Sequence, residues 1–192
     1  SVISKLPGRS AIGHNRYSTA GNKGHTAIRD VQPLYVEFAM GGCALAHNGN
    51  LTNADALREE LITGGSIFQS SSDTECIVHL MAKSIQKDIP ERMKDALRRV
   101  EGAFSIIAMT RTKMIGVRDP LGVRPLMLGK LNDSWFLASE TCALDIVGAE
   151  FVREVEPGEM VIITKDGVKS EHPFRKDVSK FCVFEYVYFS RP

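Results

Sequence analysis

The stretch LYVEFAMGGCALAHNGN, residues 34–50, decides the predicted fold class. Its β-branched and aromatic residues fall in two runs that Gly41 and Gly42 separate. Two such runs around a glycine pair predict two antiparallel strands joined by a turn. We therefore expect the second strand to end in a polar group, which consists of His47, Asn48, Gly49 and Asn50.

Helix signals follow this hairpin. A first helix is predicted after Asn53, a candidate N-cap, and it ends before Gly64. A second helix is predicted after the serines at 70–72, with Asp73 in its first turn. Residues at helical spacing form its apolar face, namely Ile77, Leu80, Met81 and Ile85.

The remaining elements are mostly strands. A third helix is predicted over residues 90–100, and a fourth follows Ser139, its candidate N-cap. Because the strands are grouped apart from the helices, the pattern favours an α+β fold over a parallel α/β sheet. The strand patterns cover residues 103–109, 114–117, 126–129, 135–138, 152–155, 159–164 and 181–189.

The composition narrows the classes of partner. The 192 residues are 43% apolar, and 24 Lys and Arg balance 23 Asp and Glu without a run of one sign. Such a chain is not expected to bind nucleic acid or an anionic membrane surface. No apolar stretch approaches the roughly 20 residues that span a bilayer. The four cysteines lack CxxC spacing, and we expect a cytoplasmic protein.

The loop GHNRYSTAG, residues 13–21, places Arg16 among glycines and hydroxyl side chains. The guanidinium fork matches the geometry of a carboxylate, so this loop is a candidate carboxylate site. A structural salt bridge of Arg16 is the alternative, and the residues alone leave it open.

The segment His47-Asn48-Gly49-Asn50 offers a side-chain amide beside a glycine N–H. Two such donors that converge on one point stabilise the oxyanion formed during acyl transfer. Asn-Gly is also the commonest signal for a tight hairpin turn, and both interpretations stay open at this level.

The segment Ser72-Asp73-Thr74-Glu75 offers a carboxylate that can bind a substrate ammonium group. Acidic residues after a serine are also ordinary at the start of a helix. The five histidines lack the spacing of a zinc site, and the sequence has no phosphate-binding glycine loop. We therefore expect the histidines to be structural, and we expect no metal site in this chain.

Five strings connect these separate signals. In chain order they are GHNRYSTAG, LAHNGNLTN, SSSDTE, RDPLGVRPL and FEYVYFSRP. Together they resemble the glutamine amidotransferase domain of the amidophosphoribosyltransferases, and the likeness runs from Ile12 to Pro192. HNG and SDTE are similar to class II amidotransferases in general, and RDPLGVRPL is partly shared with asparagine synthetases. FEYVYFSRP is the string that narrows the resemblance from class II amidotransferases in general to the amidophosphoribosyltransferases.

The resemblance implies an N-terminal nucleophile fold, which is a four-layer αββα sandwich. Carried onto the matching positions, it implies that Arg16 and Thr19 hold the α-carboxylate of glutamine and that Asp73 holds the α-ammonium. It further implies that Asn48 and the Gly49 amide stabilise the tetrahedral oxyanion. This division separates substrate binding from catalysis.

The nucleophile of this family is a terminal cysteine, which is expected several tens of residues before Arg16. The sequence begins instead at Ser1, so we expect an N-terminally incomplete domain that lacks its first strands and is inactive by itself. An N-terminal serine nucleophile at Ser1 is the alternative. Cys43, Cys76 and Cys142 are poor substitutes because they lie in predicted strands or helices, where cysteine usually acts as a small hydrophobe.

The resemblance also implies a larger enzyme. Residues 1–178 are expected to be a glutaminase domain, and residues 179–192 the start of the connection to a phosphoribosyltransferase domain. Such an enzyme, expected to be a homo-oligomer, makes 5-phosphoribosylamine from phosphoribosylpyrophosphate and glutamine at the first committed step of purine biosynthesis. Some members of the family bind an iron–sulfur cluster through a cysteine at the position of Cys182, and others keep this cysteine without a cluster. Mg²⁺, and such a cluster where it exists, are expected only in the full-length enzyme. The alternatives are a non-catalytic glutamine-binding module and another class II amidotransferase such as asparagine synthetase.

Overall fold

The computed structural model describes residues 8–15 and 28–174, so the predicted strand at 181–189 lies outside the described residues. Within these ranges the chain forms nine strands and four helices. In chain order they are β1 Leu34–Phe38, β2 Gly41–Leu51, α1 Ala54–Thr63, α2 Thr74–Lys83, α3 Ile89–Leu97, β3 Gly102–Thr110, β4 Met114–Arg118, β5 Met127–Leu131, β6 Ser134–Ala138, α4 Thr141–Val147, β7 Glu150–Glu154, β8 Met160–Thr164 and β9 Gly167–Glu171.

The strands form two sheets, and all their pairings are antiparallel. The larger sheet has the order β1-β2-β3-β4-β8-β9, and the smaller sheet has the order β6-β5-β7. Short turns join the neighbours β1-β2, β3-β4, β5-β6 and β8-β9, whereas α1, α2 and α3 lie between the neighbours β2 and β3. The grouping of strands apart from helices confirms the predicted α+β fold.

The predicted hairpin is formed by β1 and β2. Leu34 of β1 pairs with Leu45 of β2, which fixes the register. The turn lies at residues 39–40, and Gly41 and Gly42 open the second strand instead of forming the turn. Gly41 adopts a φ of +113°, which a residue with a side chain rarely does, so a glycine here lets the strand begin directly after the turn.

The helices lie where they are predicted, but three of their ends differ. Helix α3 ends at Leu97 instead of near residue 100. Helix α2 ends before Ile85, whose side chain is 91% exposed, so the prediction that Ile85 belongs to its apolar face is wrong. The N-cap of α4 is Glu140, not Ser139. Strand β9 was not predicted, because its sequence GVKSE is short and has little of the apolar alternation that marks a strand.

Helices α1, α2 and α3 cover one face of the larger sheet. Alternate residues of β2 point into this layer, and Cys43, Leu45 and Leu51 are at most 4% exposed. Burial of each large side chain here stabilises the fold by roughly 1.5–3 kcal/mol. Other members of this core are Leu61, Ile77, Met81, Met93, Phe104, Ile106, Ile115 and Met160.

The opposite face of the larger sheet packs on the smaller sheet. Helix α4 covers the far side of the smaller sheet, where Leu144 is 1% exposed and contacts Gly129. The order of layers is therefore helix, sheet, sheet, helix, which confirms the four-layer αββα sandwich. The core between the sheets consists of Leu126, Leu128, Val155 and Val161, with Ile107, Trp135, Leu137, Ile163 and Val168 packed against it.

The motif RDPLGVRPL, residues 118–126, connects the two sheets. Arg118 forms an ion pair with Glu154 at 2.9 Å, and the Asp119 carboxylate accepts the Leu121 N–H at 2.9 Å. Burial raises the pKa of Asp119, although its backbone hydrogen bonds oppose this. This motif thus has a structural role in the described fold. Arg118 also donates to the backbone carbonyls of Gly122, Arg124 and Val155.

Glu159, just before β8, is a buried acid that is 1% exposed. Arg153 donates to both of its carboxylate oxygens, at 2.6 and 2.8 Å, and Ser170 and the Glu156 N–H donate as well. Burial acts to raise the pKa of Glu159. The bonds from Arg153 and the other donors outweigh burial and lower that pKa to about 2.

We expect Glu159 to make the stability of the fold depend on pH. Because its folded pKa lies below the ordinary value of 4.5, its contribution is complete above that value and is lost as pH falls towards about 2. Glu159→Gln should lower the free energy of unfolding by about 3 kcal/mol near pH 7, and by less near pH 3. Urea unfolding at both pH values measures this, with the exposed Glu59→Gln of α1 as the control. An equal loss at both pH values would contradict a role for the charge.

Candidate active site

The predicted oxyanion residues lie within β2. Asn48 pairs with Ser105 of β3, and Gly49 pairs with Phe104. The interpretation of Asn48-Gly49 as a hairpin turn is therefore wrong, because this segment continues the sheet. Asn48 and Gly49 are half-buried and Asn50 is exposed, so the strand runs from the core to the protein surface at this point.

One edge of β2 carries the backbone N–H groups of His47, Gly49 and Leu51, since alternate residues of an antiparallel strand direct their N–H groups to the same side. The His47 N–H donates to the Gln32 side chain at 2.6 Å. The Leu51 N–H donates to the Asp73 carboxylate at 2.9 Å. The Gly49 N–H therefore lies between these two donors, on the same edge, and points away from β3.

Position 49 accepts only glycine in this backbone. Gly49 adopts a φ of +153°, and a Cβ atom would lie 2.0 Å from the carbonyl oxygen of Ala103 and 2.9 Å from Nε2 of His47. The close approach of β3 on one side and of an imidazole on the other thus fixes the residue type.

The side chains of β2 alternate between its two faces. His47 lies on the helix face with Leu45 and Leu51, and Asn48 lies on the opposite face. The Asn48 amide and the Gly49 N–H are consecutive polar donors at the exposed end of the strand.

Asp73 occupies the N-cap position of α2, but its side chain does not cap that helix. It reaches across to β2, where Oδ2 accepts the Leu51 N–H at 2.9 Å and Oδ1 lies 3.6 Å from Nδ1 of His47. Ordinary helix-start chemistry therefore does not explain this carboxylate. The side chain is 21% exposed, which leaves part of the carboxylate accessible to a ligand.

Asp73 carries a negative charge at neutral pH. Burial acts to raise its pKa, but the hydrogen bond and proximity of His47, with the N–H groups of Leu51 and Thr74, outweigh burial. The pKa is lowered from its ordinary value of 3.8. A partly buried carboxylate held in this way is suited to a charge-assisted bond with an ammonium group.

Three charged side chains hold the loop 69–72, which leads into Asp73. They are Arg58 of α1, Glu75 of α2, and Asp30, which is 4% exposed. Because they satisfy successive backbone groups of the loop, they fix the entry into α2. Their bonds reach the carbonyl groups of Ser70 and Ser72 and the N–H groups of Gln69, Ser70 and Ser71.

His47 lies beside Asp73, a contact that the sequence did not predict. The residue is 4% exposed, and its Nδ1 lies 3.1 Å from Oγ1 of Thr74. Strand alternation was the signal available in the sequence. It places His47 on the face of β2 opposite Asn48, towards the helix layer in which α2 begins.

The three cysteines of the described residues lie in the strand and helices where they were predicted. Cys43 in β2 and Cys76 in α2 are buried, and burial raises the pKa of both thiols, that of Cys43 to about 11. Cys142 on α4 is exposed, and its pKa is raised by its bond to the Glu140 carboxylate. These environments favour the thiol over the nucleophilic thiolate.

Some of the predicted site residues fall outside the described ranges. These residues are Arg16, Thr19, Ser1 and Cys182. Their predicted roles stay predictions. Over residues 8–15 and 28–174, no group of three or more His, Cys, Asp or Glu side chains is arranged to hold a metal ion. The helices of the same ranges are all too short or too polar to cross a membrane.

The αββα sandwich is a fold of the N-terminal nucleophile hydrolase type. The model of one family, described as the glutamine amidotransferase domain, matches residues 14–145. The chain therefore belongs to the glutamine amidotransferase domain family. The relatives of this chain that have a name are enzymes.

Relatives of known name agree with this assignment. The chain is 49% identical to the amidophosphoribosyltransferase of Rhizobium etli, over 100% of this chain and 39% of that protein. It is 48% identical to the amidophosphoribosyltransferase of Bacillus subtilis, over 99% of this chain and 40% of that protein. The chain thus spans about two fifths of the length of these relatives.

Solved structures give the same result for the fold. The glutamine phosphoribosylpyrophosphate amidotransferase of B. subtilis, complexed with ADP and GMP, superposes with a TM-score of 0.86 at 46% identity, over 93% of this chain and 38% of that chain. A protein of Silicibacter pomeroyi that is described as a glutamine aminotransferase class-II domain protein has a TM-score of 0.52 at 16% identity, over 69% of this chain and 67% of that one, and is similar in fold.

Proposed function

We propose that this chain supplies the glutaminase part of an amidophosphoribosyltransferase. Glutamine and water give glutamate and ammonia, and the ammonia displaces pyrophosphate from phosphoribosylpyrophosphate to give 5-phosphoribosylamine, the first committed step of purine biosynthesis. Identities of 46–49% to proteins of this name support the assignment. The alternatives, a non-catalytic glutamine-binding module or an asparagine synthetase, are not favoured by these relatives.

One observation carries the proposed glutamine site. The ionised Asp73 carboxylate is bonded to Leu51 on the same edge of β2 that carries the Gly49 N–H. We assign Asp73 to the α-ammonium of glutamine, and the Asn48 amide and the Gly49 N–H to the oxyanion that forms on the side-chain amide carbon. The ammonium anchor and the Gly49 N–H lie along one edge of β2, and the Asn48 amide projects from the neighbouring position of the strand. Together, these groups can bind the two ends of one amino acid.

The other end of the zwitterion needs a cationic or hydroxyl partner. The proposal assigns the α-carboxylate to Arg16 and Thr19, because a guanidinium pairs with a carboxylate through two parallel hydrogen bonds. It assigns the nucleophile to a residue other than the thiols of Cys43, Cys76 and Cys142, whose environments favour their protonated form.

The wider organisation belongs to the same proposal. Residues 1–178 form the glutaminase domain, and residues 179–192 begin the connection to a phosphoribosyltransferase domain, in a cytoplasmic homo-oligomer. Mg²⁺, bound with phosphoribosylpyrophosphate, and an iron–sulfur cluster with Cys182 as one ligand belong to the parts of such an enzyme outside the described residues. Elemental analysis of the full-length protein, beside its Cys182→Ser variant, tests the cluster.

The experiment that tests the function follows the amide nitrogen. The full-length protein is incubated with glutamine labelled with ¹⁵N in its amide group and with phosphoribosylpyrophosphate, and in a parallel reaction with aspartate and ATP as the acceptor system instead. We expect equal amounts of glutamate and pyrophosphate, and ¹⁵N in phosphoribosylamine. Glutamate formed with ¹⁵N transferred to aspartate instead would identify an asparagine synthetase. Glutamine binding without any glutamate would overturn the enzymatic proposal.

A further inference from the structure

The His47 imidazole lies between the two halves of the proposed site. On one side, its Nδ1 lies 3.1 Å from Oγ1 of Thr74 and 3.6 Å from Oδ1 of Asp73. On the other side, its Nε2 lies 2.9 Å from the point where a Cβ on Gly49 would stand. The buried ring therefore lies next to Asp73, the proposed ammonium anchor, and next to Gly49, a proposed oxyanion donor.

The surroundings of His47 leave its ring little freedom. Gln32 accepts the His47 N–H at 2.6 Å through Oε1, and its Nε2 donates to Oγ1 of Thr74 at 3.1 Å. The Thr74 hydroxyl is 3.4 Å from Oδ1 of Asp73, to which it donates its own proton. Thr74 therefore accepts from His47, which favours the tautomer with the proton on Nδ1.

The other ring nitrogen has no hydrogen-bond partner among the described residues. Nε2 of His47 is buried, and a buried polar atom without a partner costs about 1–3 kcal/mol. A leucine or methionine at this position would avoid that cost, so the stability of the core does not account for a histidine here. The Nδ1 contacts with Thr74 and Asp73 do account for it.

We propose that His47 is a positioning residue for glutamine recognition, an inference that rests on the proposed function. With Thr74, it fixes the Asp73 carboxylate so that its free lone pairs meet the α-ammonium of the substrate. The Leu51 N–H donates to Oδ2 of Asp73, and the Thr74 hydroxyl donates to Oδ1, beside which Nδ1 of His47 lies. A carboxylate fixed before binding loses less side-chain entropy when the ammonium arrives.

Two substitutions separate this role from simple packing. In His47→Asn, the amide nitrogen can occupy the place of Nδ1, whereas in His47→Gln it occupies the place of Nε2. The readout, in the full-length protein, is the ratio of kcat/KM for glutamine to kcat/KM for glutaramate, which is glutamine without its α-ammonium group. We expect His47→Gln to lower this ratio about tenfold and His47→Asn to keep it within about threefold.

Glutaramate makes the outcomes distinct. If His47 only supported the fold, its replacement would lower both rates together and leave the ratio unchanged, which would overturn the inference. If the wild-type protein did not hydrolyse glutamine, or did not prefer it to glutaramate, the proposed function itself would fail. Thr74→Val, which has the shape of threonine without its hydroxyl, must lower the ratio as His47→Gln does. It decides the matter if His47→Gln does not fold.

Discussion

Replacement of Asn48 by alanine is expected to lower kcat for glutamine hydrolysis by roughly 10²–10³-fold, with a change in KM of less than about threefold. The amide of glutamine carries no full charge on its oxygen in the ground state, so a donor aimed at that oxygen contributes most when the tetrahedral intermediate forms. Removal of one such donor therefore affects turnover more than binding.

The structure offers a matched control for this prediction. Asn50 lies two residues further along β2, on the same face of the strand as Asn48, and is exposed. Asn50→Ala should leave kcat and KM close to the wild-type values. Steady-state release of glutamate by the full-length enzyme gives both constants. A rise in KM for Asn48→Ala with kcat unchanged would assign Asn48 to substrate binding instead of the oxyanion.

Local sequence signals predicted the elements around the site well. The predicted hairpin forms around the glycines at 41 and 42, although these open β2 instead of forming the turn, and the serines at 70–72 precede α2. These signals succeed because backbone freedom and helix starts are decided by neighbours in the chain. The position of Asp73 at a helix start follows from the same signals.

Side-chain partners were less predictable, because the same side chain can bond locally or at a distance. Asn53 stands at the N-cap of α1, as predicted, yet its amide bonds to the Arg99 carbonyl and the Glu101 N–H, far along the chain. Its capping capacity is used to join α1 to the start of β3. Residue type and position gave the cap, but only the packed fold shows which donor it meets.

The site itself depends on contacts between distant parts of the chain. The Leu51 N–H and the Asp73 carboxylate are brought together by the packing of α2 against the larger sheet. Asn48-Gly49 was ambiguous in sequence because a hairpin turn and an oxyanion site use the same residues. The pairing with β3, more than fifty residues later in the chain, excludes the turn. The roles of Asn48, Gly49 and Asp73 were predicted from the family resemblance, because local sequence patterns do not indicate which substrate group a residue binds.

Asp73→Asn is expected to lower kcat/KM for glutamine roughly 100-fold, mainly through KM, because it removes the charge that meets the α-ammonium. The asparagine keeps an oxygen that can accept the Leu51 N–H, so the fold around α2 should persist. Since the pKa of Asp73 is below its ordinary value of 3.8, the carboxylate stays ionised on mild acidification. Its contribution to glutamine binding should therefore be constant from neutral pH to about pH 5 and be lost only below the ordinary range.

Glutaramate again gives the sharpest comparison, because it has no ammonium group for Asp73 to bind. Asp73→Asn should change kcat/KM for glutaramate by less than about threefold, so that the variant no longer distinguishes the two compounds. Asp55→Asn, which removes an exposed carboxylate from the first turn of α1, controls for the loss of one negative charge at a helix start and should keep the preference for glutamine. An equal loss with both compounds in Asp73→Asn would mean that the carboxylate supports β2 through Leu51 instead of binding the substrate. The oxyanion role of Asn48 would then stand without an ammonium anchor beside it.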